Sequence, residues 1–360
     1  MGFSRWAGML RSYLDPRQVG YLIFYVTNRC NFRCDFCFYS AEIDKGRKPE
    51  ELTLDEIRRM AEKLGPLLQL SLTGGEPFLR PELADIARVL LDHTRAPYVT
   101  IPTNGSLPDR AVRFLEELLP AYPGSHFRLC LSIEGIGEEH DALRSAPGSF
   151  AKIQETCRAV APLRRRFPNL VLDSNSVLTA RSEGRLLETL KTLDREFDFD
   201  NMSVTLARGE APDPGLRRVS RERYVEINGF LESLRRRQEG RLLYPLWRAV
   251  RDVSRRSLIR TAFDGEFVSP CVGGRKLVVV SESGEVTPCE ILGRKLGDLR
   301  DFDFDLRALL SSRASQETLR WIRESRCKCS FECALAANAV WNPADYPALL
   351  VSAFKNLGRR

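Results

Sequence analysis

At 360 residues, with 43% hydrophobic and 29% charged residues, the chain has an ordinary globular composition and enough length for a large core plus a second module. No apolar run reaches the length of a membrane span and no signal-peptide h-region opens the chain, so a cytoplasmic location is expected. The net charge of +7 falls in short clusters such as Arg164-Arg165-Arg166, Arg235-Arg236-Arg237 and Arg255-Arg256, on helix-like stretches without interleaved aromatics, which argues against nucleic acid as a partner.

Residues 1–20 place Phe3, Trp6, Met9, Leu10 and Tyr13 at roughly helical spacing, with Arg5, Arg11 and Arg17 among them. This reads as an amphipathic arm that docks on the main domain, the other reading being a membrane-surface contact. The opening Met1-Gly2-Phe3-Ser4-Arg5-Trp6 lacks the Ser or Thr of a myristoylation site. Residues 21–26 are an apolar run read as a buried strand, and Cys30, Cys34 and Cys37 fall on the loop that leaves its C-terminal end. Thr53-Leu54-Asp55-Glu56 is a capping box that starts a helix reaching about residue 64. Strands are then predicted at 68–72, 98–101, 127–133, 170–178 and 202–206. Between them come helices opened by Pro81 and by Pro108, a helix over 150–167 and one more before the last strand. Such alternation implies an α/β fold with a parallel sheet and right-handed crossovers, whose chemistry sits at the strand C-termini.

The segment Ala211-Pro212-Asp213-Pro214-Gly215 reads as a break, and residues 219–262 as one or two basic-faced helices bridging to a second module. There, a β-rich run at 276–281 and a turn at 282–285 bring Cys271 and Cys289 together on a hairpin. A helical stretch follows Gly297-Asp298-Leu299, and then Cys327, Cys329 and Cys333. The domains so read are an arm at 1–20, the alternating α/β unit at 21–210, a bridge at 211–268 and the cysteine-rich module at 269–360. Its last segment carries Leu349, Leu350, Val351, Phe354 and Leu357 before Arg359-Arg360, and either packs on the α/β unit or joins the arm as a basic, apolar surface.

Ten cysteines in a cytosolic chain point to metal or redox chemistry rather than disulfides. The first three are spaced C-x3-C-x2-C. A cubane iron-sulfur cluster prefers four thiolates, so three leave one iron open to a chelating ligand. Four further motifs lie at strand ends. Thr73-Gly74-Gly75-Glu76-Pro77 combines glycines that allow close backbone approach with a carboxylate able to accept from an ammonium. Thr103-Asn104-Gly105 is a turn on the same face. Leu131-Ser132-Ile133-Glu134-Gly135 precedes His140-Asp141-Ala142-Leu143-Arg144, and Asp173, Asn175 and Val177 share one strand face. His140 reads either as an acid or base or as a helix-entry hydrogen-bonding group. Cys130 points to the side of Ser132, as core filling or as a lumenal hydrogen-atom donor.

These motifs together resemble the radical S-adenosylmethionine (SAM) superfamily, with Phe36 as the aromatic residue before the last cysteine of the triad. The resemblance implies a partial (β/α)6 TIM-like barrel, in which the SAM amine and carboxylate chelate the fourth iron of a [4Fe-4S] cluster on Cys30, Cys34 and Cys37. It further implies that Gly74, Gly75, Glu76 and Pro77 hold the amino group and that Ser132 and Arg144 contact ribose or carboxylate; Glu134 departs from the usual Asp. Asn104 and Asn175 are further candidate SAM or substrate contacts. The C-terminal cysteines resemble a SPASM or twitch module, implying one auxiliary [4Fe-4S] cluster on Cys271, Cys289 and at least two of Cys327, Cys329 and Cys333. Five cysteines are fewer than a full SPASM module carries, and Cys327-x-Cys329 is tighter than the usual spacing. The expected substrate is a small molecule, sugar or lipid-linked group, the electron donor a flavodoxin- or ferredoxin-type protein. A peptide maturase is the enzymatic alternative, and an iron-sulfur or zinc scaffold the non-enzymatic one.

Overall fold

The first strand, β1 (Tyr21–Tyr25), is buried at all five positions, and its neighbours explain why. In the computed structural model, which describes residues 3–44, 50–234 and 244–357, β1 pairs in parallel with a strand on either side, β2 (Gln69–Thr73) and β7 (Leu277–Val280). Beyond β2 the sheet continues through β3 (Tyr98–Thr103), β4 (His126–Ser132), β5 (Leu170–Leu178) and β6 (Asn201–Leu206), all parallel. Beyond β7 it continues antiparallel through β8 (Glu285–Thr287) and β9 (Gly297–Asp298). The order is β6-β5-β4-β3-β2-β1-β7-β8-β9, an open, barrel-like mixed sheet.

The hairpin that brings Cys271 and Cys289 together therefore belongs to the same sheet as the barrel, where the sequence places it in a separate module. The predicted strand at 170–178 is β5, and the other five predicted strands differ by one or two residues at their ends. The helix expected from Pro81 begins instead at Leu83, after a turn.

Helices α1 (Phe3–Leu14) and α2 (Ser40–Asp44) flank the first strand and its loop. The outer layer is α3 (Leu54–Leu64), α4 (Leu83–Thr94), α5 (Pro108–Ala121), α6 (Glu138–Arg144), α7 (Ser149–Arg166), α8 (Leu186–Glu196) and α9 (Arg221–Ser233). The capping box of α3 forms as read: Glu56 N–H donates to Thr53 Oγ1 at 3.2 Å and Thr53 N–H to Glu56 Oε2 at 2.8 Å. After α10 (Tyr244–Leu258) the chain makes the hairpin, then α11 (Leu306–Ser311), α12 (Arg313–Glu324), α13 (Glu332–Trp341) and α14 (Tyr346–Leu357). The Arg235-Arg236-Arg237 and Arg359-Arg360 clusters lie outside the described residues.

Alternation along β1 divides the core in two. Leu22 and Phe24 join the large cluster under the outer helices, while Tyr21, Ile23 and Tyr25 face a smaller one with Phe331, Ala334 and Ala337. Helix α13 thus lies against the inner face of the sheet, and α10 and α14 cover its far side through Ala249, Val253, Ala339 and Leu349. The open end of the sheet is sealed by side chains rather than by another strand: Leu206 N–H donates to Glu332 Oε1 at 2.9 Å, and Arg251 Nη2 donates to Met202 O at 3.2 Å. Helices α1 and α14 meet through the hydroxyls of Tyr13 and Tyr346. Around that contact Leu10, Leu14, Leu350, Val351 and Phe354 are exposed. Among the described residues, no helix is long and apolar enough to cross a membrane.

Candidate active site

The loop after β1 carries the three cysteines, and the next two strand ends hold it in place. Gly75 N–H donates to Thr27 O at 2.9 Å and Glu76 N–H to Arg29 O at 2.8 Å, so the Gly-Gly-Glu turn and the cysteine loop share a ladder. Gly74 has φ +148°, and a Cβ there would lie 2.2 Å from Thr27 O; one on Gly75 would lie 2.3 Å from Arg29 O. The glycines are thus required by the approach of two backbone segments, a reason different from the ligand approach read from sequence. Thr27 and Arg29 are fastened in turn to Glu51, which accepts from Arg29 Nη2 at 3.2 Å and from Arg80 Nη1 at 2.6 Å.

Glu76 is buried, and both of its oxygens are occupied. Thr103 Oγ1 donates at 2.8 Å, Asn104 N–H at 2.8 Å and Phe78 N–H at 3.1 Å, the last fixing the short turn that starts at Pro77. Burial raises its pKa to about 7 against the pull of those donors. Asn104 carries the connection onward: its Nδ2 donates to Asn31 Oδ1 at 2.9 Å, within the cysteine loop. Sequence reasoning missed Asn31, which lies inside the triad and carries no signal of its own.

The fourth strand end closes over Cys34. Arg144 donates through Nε and Nη2 to the two oxygens of Glu134, the latter at 2.9 Å, so the residue that departs from the family's Asp forms a bidentate buried pair. The remaining nitrogen, Nη1, lies 3.8 Å from Cys34 Sγ, and the guanidinium sits 5.4 Å from the Phe36 ring centroid. Burial pushes Cys30 up to about 11 and Cys34 up to about 12, with Arg144 pulling the other way. His140 is wholly buried; its Nδ1 accepts the Glu134 N–H at 3.2 Å, and burial lowers its pKa to about 4. It holds the strand-to-helix turn as a neutral imidazole.

Inside the barrel, Ser132 pairs across the sheet with Asn175, and Asn175 with Ser203. Asn175 Nδ2 donates to Thr205 Oγ1 at 3.2 Å and its Oδ1 accepts from Ser203 Oγ at 3.0 Å, giving a polar row over three strands. Asp173, one step deeper, pairs with Arg128 and accepts from Asn201 Nδ2 at 3.0 Å. Cys130 lies beside that pair, and burial raises its thiol to about 11.

Where β6 ends, Arg208 joins the two cysteine-bearing regions. Its Nη1 donates to Glu332 Oε2 at 2.7 Å and its Nη2 to Glu290 Oε2 at 2.9 Å, while Tyr25 Oη donates to Glu290 Oε1 at 2.9 Å. The guanidinium lies over Phe38, next to Cys37, and over Phe331. Sequence analysis gave this arginine no role; a basic residue at the C-terminal end of a barrel strand was the available signal. Beside it opens a cavity of about 640 Å³ whose wall includes Leu206, Arg208, Phe263, Ile291, Lys328 and Cys329.

All ten cysteines are free thiols. Among the described residues, no three His, Cys, Asp or Glu side chains converge as the ligands of a single metal ion do. The donor chemistry of the first loop, three thiols with soft sulfur and one backbone N–H (Phe32) 3.4 Å from Cys30 Sγ, fits an iron-sulfur cluster.

Comparison with known proteins places this architecture. Residues 24–193 match the model of the Radical SAM superfamily. Pre-heme d1 synthase of Dinoroseobacter shibae is 31% identical over 178 residues, 49% of this chain and 40% of that protein, so the chain spans less than half of that relative's length. AdoMet-dependent heme synthase of Methanosarcina barkeri is 26% identical over 318 residues, 84% of this chain and 85% of that protein. The solved structure described as native anSMEcpe with bound AdoMet superposes with a TM-score of 0.59 at 17% identity, over 95% of this chain and 98% of that one. Streptococcus suis SuiB bound to S-adenosylmethionine gives 0.59 at 15% identity, over 86% and 70%. At such identities the likeness is one of fold, and it extends through the C-terminal region. Residues 24–193 thus carry the radical SAM superfamily core, and the fold likeness to these solved structures continues through the C-terminal region.

Proposed function

We propose that this chain is a radical SAM enzyme acting on a small-molecule substrate, with Cys30, Cys34 and Cys37 as ligands of the SAM-binding [4Fe-4S] cluster and the C-terminal cysteines as ligands of one auxiliary cluster. The observation that carries the reading is the three-thiol loop itself, clamped at the C-terminal end of β1 by the Gly-Gly-Glu turn. When bound, the cluster supplies the electron that cleaves SAM to methionine and a 5′-deoxyadenosyl radical, which takes a hydrogen atom from a substrate C–H. The protein's share is positioning. Glu76 fixes three strand-end turns at once, and Asn104 holds Asn31 and with it the loop between Cys30 and Cys34. Ser132 and Asn175 offer polar contacts to SAM from the barrel wall. Arg144 keeps a fixed cation beside Cys34, where negative charge collects when thiolates replace thiols.

The cavity beside Arg208 has the size of a small-molecule site, and it lies between the barrel mouth and the loop bearing Cys329. The relatives that match by sequence are named for heme synthesis and for GTP cyclisation. A peptide substrate is supported by fold likeness alone. A lipid-linked substrate is supported by the exposed apolar side chains of α1 and α14 with Arg11, Arg17 and Lys355 nearby in sequence, a basic and apolar surface of the kind that rests on anionic membranes. Co-sedimentation with anionic vesicles, lost on Phe354→Asp, tests that contact. The domain limits at 20, 210 and 268 stand as part of this proposal, and a flavodoxin- or ferredoxin-type donor would supply the electron.

The deciding experiment is anaerobic 5′-deoxyadenosine formation from SAM with a strong reductant. Wild-type protein with its full iron forms it and the Cys30/Cys34/Cys37→Ala variant does not. Wild-type protein that holds its iron yet forms none, with or without candidate substrates, sinks the assignment.

A further inference from the structure

One exposed surface carries cations that the fold does not neutralise. Over residues 313–328, α12 and the loop after it hold five cations against two carboxylates, and one of those, Glu317, is taken by Arg313 at 2.8 Å. Arg320, Arg323, Arg326 and Lys328 are exposed, and among the described residues none has a carboxylate partner. Arg275 and Arg294 extend this surface from the sheet. Gly274 packs so closely on Leu319 of α12 that a Cβ there would lie 2.5 Å from Leu319 Cδ2, which sets Arg275 beside the helix. Arg275 Nη2 donates to Cys271 O at 2.8 Å, and the Arg294 guanidinium lies 4.0 Å from the ring centroid of Trp321, itself 37% exposed. Arg326 rests on Phe267 at 4.5 Å, and Lys328 donates to Gly265 O. Six cations thus border the half-buried Cys271, Cys327 and Cys329, held by carbonyls and rings or left in solvent.

Clustered like charges repel one another, so this patch costs the isolated chain and is relieved only by an anionic partner. A membrane fits poorly. Among the described residues Trp321 is the one large exposed apolar side chain on this face, and those suited to a bilayer lie on α1 and α14. A nucleic acid would call for several stacking aromatics, where this face has one, and Glu317 and Glu324 stand among its cations. A tryptophan with an arginine stacked on it, ringed by charge, is instead the make-up of a protein–protein anchor. A small contact steered by charge is that of a transient electron-transfer pair.

We infer that α12, with Arg275 and Arg294 on its flanks, is the docking face for an acidic one-electron donor protein, which gives up its electron on the side of the molecule that bears Cys271, Cys327 and Cys329. This rests on the reading that SAM is cleaved reductively: one electron leaves the reduced donor and is consumed, with the sulfonium of SAM, in forming methionine and the 5′-deoxyadenosyl radical. The test takes the whole iron-loaded chain and, as probe, a reduced flavodoxin of net negative charge. Association of the two, followed by stopped-flow mixing, should slow steeply as salt rises. Arg294→Glu/Arg320→Glu/Arg323→Glu should slow it about tenfold or more at low salt and remove the salt dependence. The same variant should lose about tenfold in flavodoxin-driven 5′-deoxyadenosine formation and stay within about twofold of wild type with dithionite, which needs no docking face. Trp321→Ala should weaken binding about tenfold, chiefly through faster dissociation. Reversing Arg113, Arg158 and Arg165 instead, exposed cations of α5 and α7, should change neither readout, and matching melting temperatures verify that each variant is folded. Undiminished flavodoxin binding by the α12 variant overturns the inference, and so does an equal loss in the α5 and α7 variant, which would mark an effect of net charge alone. Wild-type protein that binds a polynucleotide or anionic vesicles through this face, and not flavodoxin, overturns it as well. Wild-type protein inactive with dithionite defeats the reductive-cleavage reading instead, and the binding measurement still decides the docking face.

Discussion

The two cysteine groups are built in opposite ways. The first lies on eight consecutive residues, Cys30 to Cys37, and the neighbouring strand ends serve only to hold that loop still. The second is assembled from a hairpin of the sheet, a loop after α12 and the start of α13, and it exists only once the tertiary structure does. A contiguous site is fixed by local turns and survives damage elsewhere. An assembled site depends on the contacts that bring its parts together, here the ion-paired hub at Arg208.

The sharpest way to break that comparison is by activity. Alanine at Cys30, Cys34 or Cys37 should lower 5′-deoxyadenosine formation by about three orders of magnitude or more, while Cys271→Ala should lower substrate-free SAM cleavage less than about threefold, because separate sites act nearly independently. Equal losses would show that the two sites are one cooperative unit. Next is stability. Arg208→Ala leaves Glu290 and Glu332 buried without their cation and should cost about 3–5 kcal/mol in denaturant unfolding, with the auxiliary iron lost before the SAM-site iron. Simultaneous loss of both would remove the distinction between a local and an assembled site.

A smaller effect distinguishes the barrel by pH. His140 titrates at 6.5 when unfolded and is lowered to about 4 by burial. The unfolded chain therefore takes up the proton first as pH falls. The stability this neutral imidazole confers is complete above pH 6.5 and is lost progressively toward pH 4, by about 3–4 kcal/mol in all. His140→Asn should flatten that part of the melting temperature against pH, and an unchanged slope would show that another group carries it. The smallest effect belongs to Cys130, which burial keeps as a thiol and which packs beside Arg128 and Asp173. Cys130→Ala should cost about 1 kcal/mol and leave 5′-deoxyadenosine formation intact. A collapse of substrate turnover with SAM cleavage preserved would instead make it the hydrogen-atom donor.

What the sequence made legible follows the same division. The capping box at Thr53, strand 170–178 and the cysteine triad are local patterns, and each is where the spacing places it. The role of Gly74 and Gly75 was half legible: their conformational need shows in the residue type, but the carbonyls of Thr27 and Arg29 that impose it lie over forty residues earlier. Arg208 meets partners 82 and 124 residues away, a pairing that no local window contains. Helix α13 escaped for another reason. Its sequence ECALAANAVW is apolar on nearly every side because both faces are covered, so it lacks the periodicity that marks a half-buried helix.

One pairing has a consequence for how the chain reaches this state. Strand β1 leaves the ribosome early, and β2 can cover one of its edges soon afterwards, but its other partner is residues 277–280. Until that stretch is made, an apolar five-residue strand keeps one open edge, the kind that recruits other chains. Expression of residues 1–210 alone would leave that edge open for good, so aggregation of such a truncation would report a missing strand rather than a missing cluster.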